Sequence, residues 1–242
     1  MLKILFSPSE GKKAIGNHPP LNNLLFGLDK RKDILDIYNR LVLSDNTDAL
    51  HKMFGIKKES EIERYRKNIF ELSTCKAINR YNGVAYKYLD IDTLEEDERD
   101  YLEKNCLIFS NLYGPILGGD LITDYKIKQG ESIDGISSEV FYKKAFSDNL
   151  DKFLEKSEIL DLRAGFYDKF YKPSKEYTTL KFIKNTKVIS HWAKAYRGIV
   201  LRELAKSQIN SLDEFKKLDI SGLHVKEIKK IKLKTEIVFE II

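Results

Sequence analysis

Short apolar runs alternate with amphipathic helical patterns along this chain of 242 residues, and this alternation limits the possible folds more than any other feature. Residues 2–6 form an apolar run cut off by Ser7 and Pro8, which predicts a short buried strand. Residues 29–43 place apolar side chains three and four positions apart, which predicts an amphipathic helix. No repeat or Pro/Gly-rich linker divides the chain. We therefore expect an α/β (α+β) fold: a single compact domain over residues 1–242, with a mixed β-sheet flanked by helices.

The rest of the chain continues the alternation. Further helices are predicted at residues 47–54, 60–72, 93–105, 139–154 and 193–207, and a short one begins after Ser211. Further strands are predicted at residues 107–109, 158–162, 178–183 and 187–190. From residue 230 to 241, apolar side chains alternate with charged ones, mostly lysines. That pattern predicts a half-buried strand whose lysines protect a sheet edge.

The stretch from residue 169 to 206 is strongly basic. It has ten Lys or Arg residues against only Glu176 and Glu203, with aromatic residues threaded among them. A folded segment of this charge favours a polyanion or a phosphate-bearing ligand at its surface. Residues 90–103 have the opposite charge, with eight acids and one basic residue, Arg99. We interpret the acidic segment as a solvated surface.

Cysteine and histidine usage argues against several kinds of site. Cys75 and Cys106 do not form a CxxC pair, and no signal-like apolar run follows Met1. Free thiols without a signal favour a reducing, cytoplasmic location. No segment approaches the roughly 20 apolar residues of a membrane helix, so no membrane partner is expected. The four histidines are scattered without ligand spacing, and we expect neither a metal site nor a cofactor.

Four polar loops each follow a predicted strand, at residues 7–13, 111–119, 163–171 and 190–194. In open α/β sheets, ligands bind outside the carboxyl ends of the strands. If the strands are parallel, side chains from these loops and from the helix after them converge on one site. Those side chains are Lys12, Tyr113, Arg163, Tyr167, Lys194 and Arg197. The alternative is that each loop is an independent solvated turn.

The start of the helix at residues 193–207 indicates the same chemistry. Lys194 and Arg197 oppose the helix dipole there, whereas a bound phosphate would be stabilised by the cations and by the helix amides together. Gly198 costs about 1 kcal/mol relative to Ala inside a helix. A glycine at this position is explained either by a close approach of the backbone to a ligand or a neighbouring segment, or by simple helix packing. Glu10 and Asp120 are candidate general bases; the alternative for Asp120 is that it caps a turn or pairs with an arginine.

Four blocks of the chain resemble the YaaA peroxide-stress family. SPSEGK at residues 7–12 is similar to the family's SPAK or PPSEGK opening. LYGP at residues 112–115, GDLI at 119–122 and DYK at 124–126 resemble its LYG…PxDL…YR block. ILDLR at residues 159–163 with Tyr167, and AKAYRG at 193–198, resemble the remaining two. The blocks fall in family order and, with looser agreement between them, span nearly the whole chain. They add Ser7, Tyr125 and Lys126 to the pocket candidates.

This resemblance implies a cytoplasmic protein of the oxidative-stress response that binds DNA, limits damage by hydrogen peroxide and helps keep free iron low. It also implies a positively charged cleft and a helix-hairpin-helix element. The candidate for that element lies at residues 47–72, with residues 54–58 as its turn. Such a hairpin presents helix amides and lysines to the DNA backbone. Glu59 and Glu61 would repel phosphate there, so an ordinary packing corner is the alternative interpretation.

Two functional hypotheses follow. The first is a DNA-binding protein that uses Lys181, Lys184 and Lys187 on the backbone of duplex or distorted DNA, without reading its sequence. The second is an enzyme acting on a nucleotide or nucleobase, a small phosphorylated ligand, in a pocket formed by the strand-end loops. In that case Lys12, Arg163, Lys194 and Arg197 would hold phosphate, with Tyr113 or Asp120 near the reacting atom. A purely structural or partner-binding role is a third possibility.

Overall fold

The structure, a computed structural model, describes residues 1–185, 187–188 and 190–242, with residues 187, 188, 190 and 191 described by secondary structure alone. Its strands are β1 (Leu2–Phe6), β2 (His18–Pro20), β3 (Ser73–Lys76), β4 (Cys106–Ser110), β5 (Gly114–Leu117), β6 (Leu121–Ile122), β7 (Glu158–Asp161), β8 (Tyr177–Lys184), β9 (Lys187–Val188), β10 (Leu223–Ile231) and β11 (Lys234–Ile241). Its α-helices are α1 (Lys32–Val42), α2 (Thr47–Phe54), α3 (Glu59–Ile62), α4 (Ala77–Arg80), α5 (Val84–Leu89), α6 (Glu96–Asn105), α7 (Ser138–Leu154), α8 (Ser190–Lys206) and α9 (Leu212–Lys217). Turns of 3-10 helix lie at Asp29–Arg31, Glu63–Tyr65, Ile91–Thr93 and Gly165–Lys169.

A mixed sheet forms the centre of the domain. Its strand order is β10-β11-β8-β7-β1-β4-β5, and β9 pairs with β8. β1 is parallel to both β4 and β7, and β8 is parallel to β7 and β11. β5 and β10 run antiparallel to their neighbours at the two ends. The predicted α/β domain with a mixed sheet flanked by helices is confirmed.

The two central strands β1 and β4 are buried along their whole length. Parallel strands with both faces covered need such uninterrupted apolar runs, which is why the sequence made β1 easy to predict. A second, small antiparallel sheet has the order β2-β3-β6. Strands of two to four residues are too short to show a period, so the sequence does not predict this second sheet.

The predicted helix at residues 60–72 is wrong beyond its first turn. α3 ends at Ile62, a 3-10 turn follows, and the chain then leaves helical geometry. Two asparagine side chains replace the helical hydrogen bonds: Asn68 Oδ1 accepts from Phe70 N at 3.1 Å, and Asn39 Oδ1 accepts from Ile69 N at 2.8 Å. Asparagine favours such local bonds over a helix ladder.

Two other segments differ from the sequence-based expectation. Residues 111–119 form a hairpin rather than an open loop, because Gly114 turns the chain at φ 67° and lets β5 pair back onto β4. Residues 223–241 form a second hairpin that turns at Lys232, φ 55°. The sheet edge is therefore β10, and the predicted edge strand β11 lies inside, paired with β8.

Two arginine side chains are fully buried and tie segments together. Arg31 donates to Tyr113 O and Pro115 O, both at 2.6 Å, and so holds the 3-10 turn at Asp29–Arg31 against the β4–β5 hairpin. Burial lowers the pKa of Arg31 to about 10. Arg80 donates to Lys13 O at 2.7 Å and to Ile122 O at 3.1 Å. Each guanidinium thus donates to carbonyls of two different segments and links them.

Helices α5 and α8 pack with their backbones in close approach. A methyl group on Gly198 would lie 2.0 Å from Ala85 O. Of the explanations for Gly198, the structure supports helix packing. This contact brings the first turn of α5 next to the first half of α8, where Lys194 and Arg197 lie.

We predict that Gly198→Ala lowers the free energy of unfolding by about 1–3 kcal/mol, because the added methyl group overpacks this contact. Urea denaturation of the wild-type protein and of the variant measures the change. Gly165→Ala is the matched control, since an added Cβ there meets nothing within 4 Å, and its change should stay within about 0.5 kcal/mol. Equal losses in the two variants would contradict the packing explanation.

Candidate functional site

The carboxyl ends of β1 and β7 open onto a cavity of about 280 Å³. The chain passes from β1 to β4 on one side and later to β7 on the other, so the strand order reverses at this point. Ligands in open α/β sheets bind at such a reversal. The apolar wall consists of Phe6, Pro8, Val84, Ala85, Leu162 and Ala164. Polar groups at the rim come from Ser7, Ser9, Glu10, Gln129, Lys194 and Arg197.

Ser7 fixes the rim where β1 ends. Its Oγ accepts from Ala164 N at 2.8 Å, and its carbonyl accepts from the Tyr86 hydroxyl at 2.9 Å. One residue thereby joins β1 to the loop after β7 and to α5. Tyr167 closes the cavity beside this junction, and burial raises the pKa of its hydroxyl. Of the six side chains expected to converge, the cavity brings together Tyr167, Lys194 and Arg197, with Ser7 and Glu10 beside them.

Lys194 and Arg197 bring positive charge to this cavity. Lys194 is exposed, and Arg197 is half-buried. Burial lowers the pKa of Arg197, although the charge of Asp161 acts in the opposite direction. Within the described part of the chain, neither side chain has a hydrogen bond or an ion pair. Both therefore remain available to an anion in the cavity.

Glu10 supplies the negative charge of the rim. Its Oε1 accepts from Gln129 N at 3.1 Å, and its Oε2 lies 3.2 Å from Lys126 Nζ. Partial burial favours a raised pKa for Glu10, but the Gln129 hydrogen bond and the Lys126 charge outweigh it, and the pKa lies below its ordinary value. Glu10 is thus held ionised at neutral pH, as a hydrogen-bond acceptor. A general base needs a pKa nearer to neutrality.

Lys12 lies behind the rim instead of lining the cavity. It is buried, and its Nζ donates to Ser9 O at 3.2 Å and to Glu10 O at 3.4 Å. The same nitrogen lies 3.9 Å from the centre of the Tyr125 ring. Burial, with a smaller contribution from the charge of Lys126, lowers the pKa of Lys12 to about 7. We infer that this lysine shapes the Ser9–Glu10 segment from beneath.

Arg163 is committed to the fold. It is 5% exposed, and it pairs with Asp161 through Nε at 2.9 Å and Nη2 at 2.7 Å. Its Nη1 donates to Tyr167 O at 3.0 Å and to Tyr171 O at 2.9 Å. These bonds hold the loop that forms one cavity wall, and they occupy the donors that a phosphate would need. The structure therefore places Arg163 beside the site, as its support.

The remaining pocket candidates lie in the interior. Tyr113 is fully buried, and its hydroxyl bonds Thr123 Oγ1 at 2.6 Å. Tyr125 is also buried, and its hydroxyl bonds Ser110 Oγ at 2.8 Å, while burial raises its pKa to about 12. Asp120 Oδ2 accepts from Leu25 N and from Leu117 N, both at 2.9 Å, so it caps a turn, the alternative role considered for it.

The basic stretch divides into structural cations and surface cations. Lys175 donates to carbonyls at the end of α7, including Ser157 O at 2.7 Å, and Arg202 donates to Leu89 O at the end of α5 at 2.8 Å. Both stabilise helix C-termini. Lys184 is exposed at the carboxyl end of β8. That end shares a sheet edge with the start of α8, where Lys194 lies.

The other two lysines proposed for backbone binding behave differently. Lys181 is half-buried. Its neighbour Phe182 stacks on Tyr196 of α8 at 5.6 Å, so Lys181 lies on the opposite face of the sheet, away from α8. Lys187 pairs with Lys184 through the backbone of β9, and its side chain is outside the described residues.

The helix-hairpin-helix candidate at residues 47–72 has one full helix. α2 ends at Gly55, φ 65°, as predicted, but the second helix is the single turn α3. Glu59, at the start of that turn, lies 3.2 Å from His51 Nε2. The Glu59 carboxylate and its hydrogen bond to His51 thus occupy the position where the motif would present helix amides to phosphate. This arrangement favours the packing-corner interpretation.

Most of the apolar lining of the cavity, and Gln129 at its rim, were missed in the sequence. Gln129 and Val84 come from segments with no motif of their own, and Leu162, although it lies in the ILDLR block, was not identified as a lining residue. Tertiary folding alone brings the loop before α7, the start of α5 and the end of β7 to one place. Within the described residues, no group of three or more His, Cys, Asp or Glu side chains could hold a metal ion, and no helix is long and apolar enough to cross a membrane.

Comparison with known proteins gives a consistent result. A family model described as peroxide stress protein YaaA matches residues 2–229. The chain is similar to an uncharacterized protein of Campylobacter jejuni, with 44% identity over 245 residues that cover 100% of both chains. It is also similar to UPF0246 proteins of Fusobacterium nucleatum, with 29% identity over 93% of each chain, and of Clostridioides difficile, with 25% identity over 93% of this chain and 94% of that protein.

We predict that Lys12 makes the stability of the protein depend on pH. Its pKa is about 7 when folded and 10.5 ordinarily, so the unfolded chain binds more protons between these values and stability rises with pH there. Between pH 7 and 9 the free energy of unfolding should rise by on the order of 2 kcal/mol relative to Lys12→Met. Urea denaturation of both proteins at pH 6, 7, 8 and 9 measures this difference.

The exposed Lys206 provides the control. The difference between the wild-type protein and Lys206→Met should stay flat across the same pH range. A flat difference for Lys12→Met as well would contradict the lowered pKa.

Proposed function

Because this chain belongs to the peroxide stress protein YaaA family, we propose that it acts in the response to hydrogen peroxide as a DNA-binding protein. The observation that carries the proposal is a set of unpartnered cations at the carboxyl edge of the central sheet. Lys184 and Lys194 are exposed there, Arg197 is half-buried beside them, and none has a hydrogen bond or ion pair within the described residues. Cations free of acidic partners attract a polyanion.

Part of the acidic segment lies at the end of α8 that is far from Lys194. Asp97 of α6 accepts from the Gln208 side chain at 2.8 Å, just beyond the carboxyl end of α8. At 1.5 Å per helical residue, that end is about 20 Å from Lys194. Charges separated by more than about 10 Å are largely screened at 0.1 M salt. Asp97 and the acids beside it in α6 therefore oppose the field of Lys194 only weakly.

Lysine contacts of this kind hold the phosphate backbone and carry no sequence information. We therefore propose binding to duplex DNA, including bent or distorted duplex, with little preference among sequences. Protection against peroxide would follow from occupation of the DNA. It would not follow from thiol chemistry, because Cys75 and Cys106 are both buried and burial raises the pKa of each thiol. Peroxide-reactive cysteines need an exposed thiolate.

A role in limiting free intracellular iron completes the proposed function and is supported by family resemblance. A strain lacking the protein should contain more free iron during peroxide exposure than a strain carrying it, measured by electron paramagnetic resonance of chelated iron in whole cells. If expression of the Lys184→Ala/Lys194→Ala variant lowers free iron in the strain lacking the protein to the level of the strain carrying it, the iron effect does not depend on DNA contact. Equal free iron in the strain lacking the protein and in the strain carrying it would overturn this part of the proposal.

The DNA-binding proposal predicts a steep salt dependence that these lysines carry. Log affinity falls by about 0.9 per neutralised duplex phosphate for each unit of log salt. Lys184→Ala/Lys194→Ala should therefore lower the slope by about 1.8 and weaken binding at low salt. Fluorescence anisotropy with labelled duplex, bent and single-stranded DNA across a salt series measures both quantities.

The matched control is Lys152→Ala/Lys156→Ala. Both of these lysines are exposed near the carboxyl end of α7, which leads into the opposite, amino edge of the sheet. The control removes the same charge, and it should lower the slope of log affinity against log salt by less than Lys184→Ala/Lys194→Ala does. Equal slopes for the two double variants would exclude the carboxyl edge as the contact surface. A wild-type protein that binds none of the DNAs at low salt would overturn the proposal.

A further inference from the structure

The cavity between β1 and β7 is too small for a duplex, and it has an internal chemistry that a phosphate backbone does not use. Its volume of about 280 Å³ is near the lower end of the range for small-molecule sites, about 300–1,000 Å³. It combines an apolar wall, a cation at one side and a carboxylate at the other. Each of these three features restricts the ligand.

The cation at the side of the cavity favours a ligand with an anionic group. Arg197 is half-buried, and its hydrogen-bond capacity is unused within the described part of the chain. Half-burying a charge without a partner is costly, and an anion in the cavity would remove that cost. The planar guanidinium binds phosphate with two parallel hydrogen bonds. Lys194, one helical turn earlier on the same side of α8, adds a second positive charge at the rim.

The apolar wall of the cavity favours a ligand with a flat, weakly polar group. Phe6 and Tyr86 meet edge to face, with ring centres 5.4 Å apart, and Leu162 and Val84 line the cavity beside them. Aromatic and branched side chains in such a cleft bury the faces of planar rings. A sugar phosphate without a ring of this kind would leave the apolar wall uncovered. The wall therefore favours a heterocyclic base.

The Glu10 carboxylate favours a hydrogen-bond donor on the heterocyclic base. Each oxygen of Glu10 already has one partner, Gln129 N or Lys126 Nζ, and each keeps a free lone pair. An ionised carboxylate accepts hydrogen bonds and donates none. Carboxylates recognise the amino group of cytosine in this way. An exocyclic amino group on the ligand would match Glu10, whereas thymine lacks that group.

We propose that this cavity binds a single nucleotide unit with an amino-bearing base, whose phosphate contacts Arg197 and Lys194 and whose amino group contacts Glu10. The base then lies against Phe6 and Leu162. The unit comes either as a free nucleotide or as a nucleotide extruded from DNA, since the two share this chemistry. Binding of a free nucleotide does not require the DNA contact of Lys184, which is outside the cavity lining.

Isothermal titration calorimetry of the wild-type protein with dCMP, dTMP, ribose 5-phosphate and inorganic phosphate tests the free-nucleotide source. We expect dCMP to bind at least tenfold more tightly than dTMP or ribose 5-phosphate. Arg197→Met should weaken dCMP binding at least tenfold, with Arg197→Lys intermediate. Glu10→Gln should remove the preference for dCMP over dTMP. Lys156→Met, at the opposite edge of the sheet, should change nothing, and far-ultraviolet circular dichroism confirms that each variant is folded.

A duplex that contains 2-aminopurine in a mismatch tests the second source. An extruded 2-aminopurine loses its stacking and becomes brighter. A fluorescence rise on adding the protein, reduced by Arg197→Met and kept by Lys184→Ala at saturating concentration, identifies an extruded base as the ligand. Absence of both signals overturns the proposal, as does binding that is unaffected by Arg197→Met in a folded variant. Loss of salt-dependent DNA binding with dCMP binding retained would overturn the DNA-binding function alone.

Discussion

The bidentate pair between Arg163 and Asp161 is the interaction on which the site depends. It closes the carboxyl end of β7, and the remaining guanidinium nitrogen holds the carbonyls of Tyr167 and Tyr171. The Arg163 guanidinium also lies 4.4 Å from the centre of the Phe109 ring, so the pair is packed against β4. Removing one partner of such a buried pair costs about 3–5 kcal/mol, because an uncompensated charge remains.

Strand order then decides where a ligand meets the protein. β1 lies between β4 and β7 in parallel register, so loops that are distant in the chain share one edge of the sheet. Gly198 allows α8 to approach α5 closely enough to complete the cavity, which carries Arg197 to its rim. The backbone topology of a parallel sheet with a reversal of strand order thus forms a crevice, whichever side chains line it. The side chains decide only what the crevice binds.

Burial sorts the cations of this chain into two groups. Arg31, Arg80 and Arg163 are buried and donate to backbone carbonyls, and Arg163 also pairs with the Asp161 carboxylate. Lys184 and Lys194 are exposed and have no such partners within the described residues. The first group stabilises the fold in an interior of low dielectric, where a hydrogen bond is electrostatically stronger than in water. The second group sets the field that an approaching polyanion encounters.

The sequence by itself determined the α/β class, the central strands and most helix bounds, because continuous apolar runs and helical spacing are local signals. It also indicated the family and placed Ser7, Glu10, Lys194 and Arg197 in loops that follow strands or at the start of a helix. Only the tertiary structure decided that Arg163 and Lys12 support the site from behind while Arg197 faces the cavity. Burial and hydrogen-bond partners depend on segments far apart in the chain, and a lysine or arginine has the same letter in either role. The physical reason is that the chain order fixes local periodicity, whereas desolvation is a property of the folded whole.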